Sequence, residues 1–428
     1  MARQPDQRDR RTARARGAKF AAKRRTAALA ELALESALVP SSLAPPDAHN
    51  CAAGRHRSAW QRLYAYLQKG RMSAPTFSIV IPTRNGERYL AAAIESVIAQ
   101  RYPHWRLHIL ESGSTDGTRA LVARYLDDPR IVLHSTPTDQ PALDIIGNWS
   151  RILQLDLSEY LTILGHDDLL SADFLAEIVA LIAAEPNASL WLTHFDLIDS
   201  QGALIRPCKA MPARLDADAY LLGLHTRRFE SYATGYVMRS ADYKRLGGIP
   251  PLRNLLYADL LLWYRLAKLS YLACSPRYAF SYRVHSESMS YAMQLSDWYA
   301  ASEEYLQALG QSDHFADSAR RAAAYACIGH ELKRAFYRSL VALIEDGTPA
   351  QRRAFQRLRR EIAARAARAG ITSYADWRSA LLSAIAQVPS RAVRRALFAP
   401  IRLWRVRRAK RLARRAQADR SRLPMVSR

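Results

Sequence analysis

The chain has 428 residues, of which 49% are hydrophobic, and a formal net charge of +24; it is long and apolar enough to fold around a large core, which excludes a disordered chain. Ten Lys/Arg against four Asp/Glu in residues 1–35, and fourteen against one in residues 391–428, supply 19 of those charges, so the chain between is nearly balanced. Cys51, Cys208, Cys274 and Cys327 lie far apart with no CxxC or CxxH spacing, which excludes a zinc ribbon or a disulfide framework and fits a reducing cytosol.

The N-terminal arm is basic but leads into no uncharged apolar stretch, so no signal peptide is read, and an organelle transit peptide stays open. No window of about 18–20 residues is apolar enough to span a bilayer. Residues 18–37 and 57–69 read as helices, the second with an apolar face of Trp60, Leu63, Tyr64 and Leu67, and Pro40 to Pro46 reads as a linker between them. From residue 76 strands and helices alternate. Short β-rich runs fall at Phe77–Thr83, Arg106–Ser112, Arg130–Thr136, Tyr160–Leu164 and Ser189–Phe195. Helical stretches at 86–101, 116–126, 142–155 and 171–185 separate them. That order predicts an α/β domain, a mainly parallel sheet covered by helices. Beyond residue 296 the chain is rich in Ala, Arg and Leu and reads as helical, without an internal repeat.

Chemistry concentrates at three strand ends. The first strand runs into Ile81-Pro-Thr-Arg-Asn-Gly-Glu-Arg-Tyr-Leu90, the second into Glu111-Ser-Gly-Ser-Thr-Asp-Gly-Thr118, and the run at Tyr160 into the carboxylates Asp167 and Asp168. Small polar loops before helices expose backbone N–H groups to an anion such as a diphosphate. Carboxylates at the same sheet edge suit a divalent cation that accompanies those phosphates.

These segments, with Ser96-Val-Ile-Ala-Gln-Arg-Tyr-Pro103, Gly235-Tyr-Val-Met-Arg-Ser-Ala-Asp-Tyr-Lys-Arg-Leu-Gly-Gly248, Tyr257-Ala-Asp-Leu-Leu-Leu-Trp-Tyr-Arg-Leu266 and Tyr282-Arg-Val-His-Ser286, resemble family 2 glycosyltransferases over about residues 76–290. The resemblance implies a GT-A fold, Rossmann-like, with a helical C-terminal region. It also implies a nucleotide-sugar donor, expected to be UDP-linked, a divalent cation (Mg or Mn), and inversion at the anomeric carbon. The implied layout is a basic extension at 1–75, the GT-A domain at 76–295, a helical region at 296–390 and a basic tail at 391–428.

Carried over by position, Asp167 is the expected metal ligand and Asp168 its neighbour on the donor side, while Gly165 stands where the family has the first Asp of its DxD motif. A solvated turn or a helix N-cap is the competing reading of the pair. Asp259 is the expected general base, because an acceptor hydroxyl must lose its proton as it attacks. An ordinary dipole-favoured Asp at a helix start is the alternative. His285 is an expected metal or phosphate ligand, set against a structural histidine. Thr83, Asn85, Glu111, Ser112, Asn148 and His166 are expected donor contacts. For Thr83 and Asn85 turn chemistry competes, for Asn148 a structural role, and for His166 a turn position. Asp116 is expected to fix the second loop rather than to touch donor.

Residues 405–416 place Val406, Ala409, Leu412, Ala413 and Ala416 on one helical face and arginines and a lysine on the other, a pattern that suits an anionic membrane surface. Solvated tail and nonspecific nucleic-acid affinity are its alternatives. The resulting expectation is a cytoplasmic or membrane-peripheral enzyme that glycosylates a glycan or lipid-linked acceptor in bacterial surface polysaccharide synthesis. A catalytically inactive nucleotide-sugar-binding module and a nucleic-acid-binding protein are the rivals. Against the last, no RNA-binding motif or interleaved aromatics accompany the arginines, so no specific nucleic acid is expected.

Overall fold

The first strand, β1 (Phe77–Thr83), is buried along its whole length, as a strand covered on both faces must be. It is the centre of a computed structural model that describes residues 74–137, 139–285, 293–368, 371 and 377–400. The helices read at 18–37 and 57–69 and the amphipathic segment at 405–416 lie outside these residues. β1 pairs in parallel with β2 (Trp105–Glu111) on one side and with β4 (Tyr160–Ile163) on the other, and β2 continues in parallel to β3 (Ile131–Ser135). Between β1 and β2, helix α1 (Leu90–Ile98) buries Leu90, Ala93, Ile94 and Val97, the three-and-four spacing of a helix laid on a sheet. Helix α2 (Thr118–Val122) covers the next crossover. The single helix expected at 142–155 is a short α3 (Ile145–Ser150) followed by a 3₁₀ turn.

After the acidic loop the chain forms β5 (Leu169–Leu170), helix α4 (Phe174–Ala184) and β6 (Leu190–Ile198). Next come β7 (Leu204–Pro207), β8 (Arg214–Leu215), α5 (Ala217–His225), β9 (Tyr236–Arg239), α6 (Ser240–Arg245), α7 (Ala258–Ala267) and the long β10 (Leu272–Arg283). The sheet order is β3-β2-β1-β4-β9-β6-β10-β5, with β7 on β6 and β8 on β10. β9 runs antiparallel to both β4 and β6, so the sheet is mixed beyond β4 rather than parallel throughout. Inserting one antiparallel strand brings the start of β9 to the same edge as the ends of β1, β2, β4, β6 and β10. That edge holds the expected site residues.

The helical C-terminal region is as the composition implies. Helix α8 (Leu295–Gly310) leads to α9 (Ser318–Asp346), α10 (Pro349–Arg368) and α11 (Trp377–Gln387). In α9, Ala324, Ile328, Leu332, Phe336, Leu340 and Ile344 are buried; a step of four keeps them on one stripe of a helix about 43 Å long. Asp317 caps it by accepting the Arg320 N–H at 2.8 Å. Among the described residues no helix is long and apolar enough to cross a membrane.

Two buried imidazoles tie the fold to pH. Burial, then His134 and Arg106, lower His108 on β2 to about 4, and burial with His314 lowers His225 at the end of α5 to about 3. Both are neutral in the folded chain and protonate near 6.5 once unfolded. Their contribution is therefore complete above about pH 6.5 and is lost as pH falls towards those lowered values, by up to about 1.4 kcal/mol per unit for each histidine. Urea midpoints measured at pH 7 and pH 5 should drop accordingly, and His225→Gln should flatten the slope. An unchanged slope in that variant would remove His225 from the account.

Candidate active site

The loops that follow β1 and β2 are stitched to each other. Asn85 takes a left-handed conformation (φ 51°), which asparagine tolerates better than most residues, and its side chain accepts the Thr115 N–H at 2.8 Å. In return the Asn85 N–H donates to Ser114 Oγ, the Gly86 N–H to Thr118 Oγ1, and the Glu87 N–H to Asp116 Oδ2, at 2.9, 2.9 and 3.1 Å. The Gly117 N–H donates to Glu87 Oε2, and the Ser114 N–H to Glu111 Oε1. Six of the N–H groups expected to form an open cradle are thus used in bonds within and between the two loops. Asp116 fixes the turn as expected, accepting from both the N–H and the hydroxyl of Thr118.

Several expected donor contacts are held inside the protein. Glu111 is fully buried, and its second oxygen takes the Arg119 Nε–H at 2.7 Å. The Ser112 hydroxyl donates to the Leu143 carbonyl. Asn148 donates to the Leu110 carbonyl and accepts from Arg151. By contrast, Thr83 Oγ1 is buried with no hydrogen-bond partner among the described residues. A Cβ placed on Gly86 would lie 2.5 Å from that hydroxyl and 3.4 Å from the His166 ring, so Thr83, Gly86 and His166 meet at the edge of the acidic loop.

The acidic pair divides its labour. Asp168 is only 2% exposed. Its Oδ2 accepts the Thr234 hydroxyl at 2.5 Å and its Oδ1 the Arg283 backbone N–H at 2.8 Å. Thr234 also accepts the Gly165 N–H at 3.0 Å. Arg283 donates through Nε to the Asp167 carbonyl and through its terminal nitrogen to the Asp199 carbonyl, at 2.7 and 3.1 Å. Asp167 instead points its carboxylate at His285, Oδ2 to Nε2 2.8 Å. Burial and the neighbouring Asp167 push Asp168 well above the usual carboxylate range. Burial pushes Asp167 up too, but the hydrogen bond from His285, His166 and its own backbone N–H outweigh it and bring the group down. The negative charge of the pair therefore rests on Asp167.

Gly165 has a local reason. A Cβ there would stand 2.8 Å from Asp168 Oδ2 and 2.9 Å from Asp167 Oδ1; the two carboxylates lean into the volume that a side chain at 165 would fill. Two residues that sequence reasoning did not select, Thr234 and Arg283, hold this arrangement. Both sat beside or within quoted motifs, directly before Gly235 and two residues before His285.

A divalent cation fits the donors present. Two adjacent ligands of an octahedral ion at about 2.1 Å stand about 3 Å apart, close to the spacing of Asp167 Oδ2 and His285 Nε2. Carboxylate oxygen suits both Mg and Mn, whereas an imidazole nitrogen suits a transition metal, so this pair of donors favours Mn over Mg. No group of three or more His, Cys, Asp or Glu able to hold an ion occurs among the described residues; a cation held by Asp167 and His285 would need its other ligands from phosphate oxygens and water.

Asp259 lies in the first turn of α7 and is half-buried. Burial raises it to about 6, against the pull of the Leu260 and Asp259 backbone N–H groups. Its charge is felt by the hydroxyls of Tyr220, Tyr236 and Tyr282, and Tyr282 also feels Asp167 and Asp168.

Residues 78–231 match Glycosyl transferase family 2. The chain is 34% identical over 122 residues to a PGL/p-HBAD biosynthesis glycosyltransferase of Mycobacterium bovis, covering 28% of this chain and 46% of that protein. It is 24% identical over 204 residues to the putative teichuronic acid biosynthesis glycosyltransferase TuaG of Bacillus subtilis, covering 46% of this chain and 75% of that one. The chain thus spans less than half the length of the mycobacterial relative. Among solved structures, S. aureus TarS 1–349 in complex with UDP-GlcNAc aligns with TM-score 0.48 and 15% identity over 77% of this chain and 92% of that one. The stretch that matches glycosyl transferase family 2 thus covers the first eight strands of the α/β sheet, β1 to β8, and the helices between them.

The clamp on Asp168 makes a prediction. Thr234→Val keeps shape and removes the hydroxyl, leaving a buried carboxyl oxygen and the Gly165 N–H unsatisfied, at a cost of about 1–3 kcal/mol. The urea midpoint of the variant should fall by a corresponding amount, and an unchanged midpoint would show that the bonds contribute nothing net.

Proposed function

We propose that this family 2 chain is an inverting glycosyltransferase. It would move a sugar from a nucleotide-diphosphate sugar, UDP-linked in the first instance, to a hydroxyl of a glycan or lipid-linked acceptor during surface polysaccharide assembly. The observation that carries this reading is Asp259, a half-buried carboxylate in the first turn of α7 raised by burial to about 6, in a chain whose acidic loop pairs Asp167 with His285. A base of that strength is ionised at neutral pH yet close enough to it to take a proton efficiently.

In this scheme Asp259 takes the acceptor O–H proton as the oxygen attacks the anomeric carbon, opposite the departing diphosphate, so the configuration inverts. Asp167 and His285 hold a divalent cation, which when bound offsets the charge growing on the diphosphate. Asp168, Thr234 and Arg283 keep Asp167 aimed, and His166 and Thr83 border the donor side. With the loop N–H groups occupied, phosphate recognition falls to side chains and the cation.

The setting is supported by the names of the relatives, which act in PGL/p-HBAD and teichuronic acid biosynthesis. A membrane-peripheral, cytoplasmic placement is supported by the basic segment 391–428 and by Leu381, Val393 and Leu397, which are exposed in the described part of that end.

Two measurements test the scheme. Asp259→Asn should lower kcat/KM by about 10²–10⁴-fold while nucleotide binding persists, and wild-type kcat/KM should fall about tenfold per unit below about pH 6, where Asp259 becomes protonated. Asp167→Ala should abolish cation-dependent donor turnover, assayed with a panel of nucleotide sugars and Mn²⁺ or Mg²⁺. Full turnover in the Asp167 variant would take that carboxylate out of the mechanism.

A further inference from the structure

Close in sequence to the residues that hold the acidic pair stand two uncharged aromatics, Tyr232 and Tyr282, the second opening the Tyr282-Arg-Val-His-Ser286 motif. The rings of Tyr232 and Tyr282 stack with centroids 3.7 Å apart and planes at 15°. Both residues are half-buried, and neither hydroxyl has a hydrogen-bond partner among the described residues. The stack is anchored from below: Tyr232 meets Phe195 edge-on at 5.5 Å, and Phe195 stacks on Phe280 at 4.8 Å. Gly235 permits this, because with φ +88° a Cβ there would lie 2.3 Å from the Phe280 ring.

Covalent neighbours tie each end of the stack to the reacting groups. Tyr282 precedes Arg283, whose N–H holds Asp168. Tyr232 lies two residues before Thr234, which holds the other oxygen. On the opposite side the Tyr232 carbonyl accepts the Trp263 indole N–H at 3.4 Å. Trp263 follows Asp259 by four residues on α7 and so shares its helical face. The stack is thus joined through Thr234 and Arg283 to the acidic pair, and through Trp263 to the helix that carries Asp259.

We infer that Tyr232 and Tyr282 form a sugar-binding platform for the acceptor, with the Tyr282 hydroxyl donating a hydrogen bond to a pyranose oxygen beside Asp259. This inference rests on the glycosyl-transfer reading. A pyranose combines apolar C–H faces with a ring of hydroxyls, and a tyrosine pair offers the complementary combination of apolar ring and polar tip. Burial, then Asp168, Tyr232, Asp167 and Asp259, hold the Tyr282 hydroxyl above its ordinary value, so it remains a donor rather than a phenolate. Burial and Glu230 raise Tyr232 to about 12.

The test uses the full chain with UDP and Mn²⁺, and p-nitrophenyl α- and β-hexopyranosides (glucose, galactose, mannose and N-acetylglucosamine) as acceptor probes. Binding is read by saturation-transfer NMR, UDP–Mn²⁺ affinity by calorimetry, and folding by thermal melting. At least one pyranoside should bind wild type. Tyr282→Phe, which keeps the stack, should weaken that binding about fivefold, the size of one hydrogen bond, with melting and UDP–Mn²⁺ affinity unchanged. Equal pyranoside binding in the Phe variant, or no pyranoside binding to wild type, overturns the platform. Loss of UDP–Mn²⁺ affinity in Tyr282→Phe also overturns it, by moving the tyrosine to the donor side. Should wild type bind pyranosides in a Tyr282-dependent way but not UDP–Mn²⁺, the donor assignment fails while the sugar platform stands.

Discussion

A single buried carboxyl group, Asp168, joins three segments that are far apart in sequence. It takes the Thr234 hydroxyl from the approach to β9 and the Arg283 N–H from the end of β10, while its own loop leaves β4. Burying such a group without partners is costly, and both partners here come from rigid strand ends. The acidic loop is thereby fixed in one position, and its other carboxylate, Asp167, is left to face His285. Burial raises Asp168, and hydrogen bonding from His285 outweighs burial to lower Asp167. One member of the pair becomes an anchor and the other carries the charge. Gly165 completes the arrangement, since the two carboxylates together fill the space its side chain would need.

The opposite side of the edge is built on another economy. Glu111, Asn85, Glu87 and Asp116 take four backbone N–H groups of the two loops and so tie the loops together. Bonds of this kind hold a loop edge in one arrangement, with the buried Thr83 hydroxyl as an unspent polar group. Those N–H groups are not open to a ligand. In the proposed scheme, the positive partner for a donor's phosphates would then be a cation held at the acidic loop.

The strands were legible because their apolar runs are long and their ends polar: Phe77–Thr83 is read to the residue, and Tyr160–Ile163 to within one. The carboxylates at the sheet edge were legible for the same reason. What the pattern hid depends on contacts between distant segments. β5 is two residues, Leu169–Leu170, paired antiparallel with Phe280–Ser281, too short to leave a periodic signal. That pairing is what carries Arg283 and His285 to the acidic loop. The internal use of Glu111, Ser112 and Asn148 was equally invisible, because sequence shows a polar side chain but not which backbone group it will meet. Thr234 and Tyr232 carry no charge and stand in no quoted motif, and Tyr282 opens one without a charge to mark it.

The C-terminal helices belong to this site more intimately than their composition suggests. Asp259 enters α7 through a turn in which Asn254, Leu255 and Tyr257 all have positive φ, 53°, 54° and 63°. Non-glycine residues in that region cost about 1–3 kcal/mol each and persist only where surrounding structure enforces them. Helix α8 does the enforcing. The buried Tyr257 ring stacks on Tyr305 at 4.9 Å and meets Trp298 edge-on at 6.1 Å. Glu304 accepts the Arg253 N–H at 2.7 Å, at the head of the turn. The strain is thus held by packing from beyond the sheet, and it sets where α7 begins. Because Asp259 sits in the first turn of that helix, its position relative to Asp167 is fixed jointly by β4, β10 and α8. A strained turn that a separate helix must hold in place ties the helical region to the candidate base and makes that region part of the active site's framework.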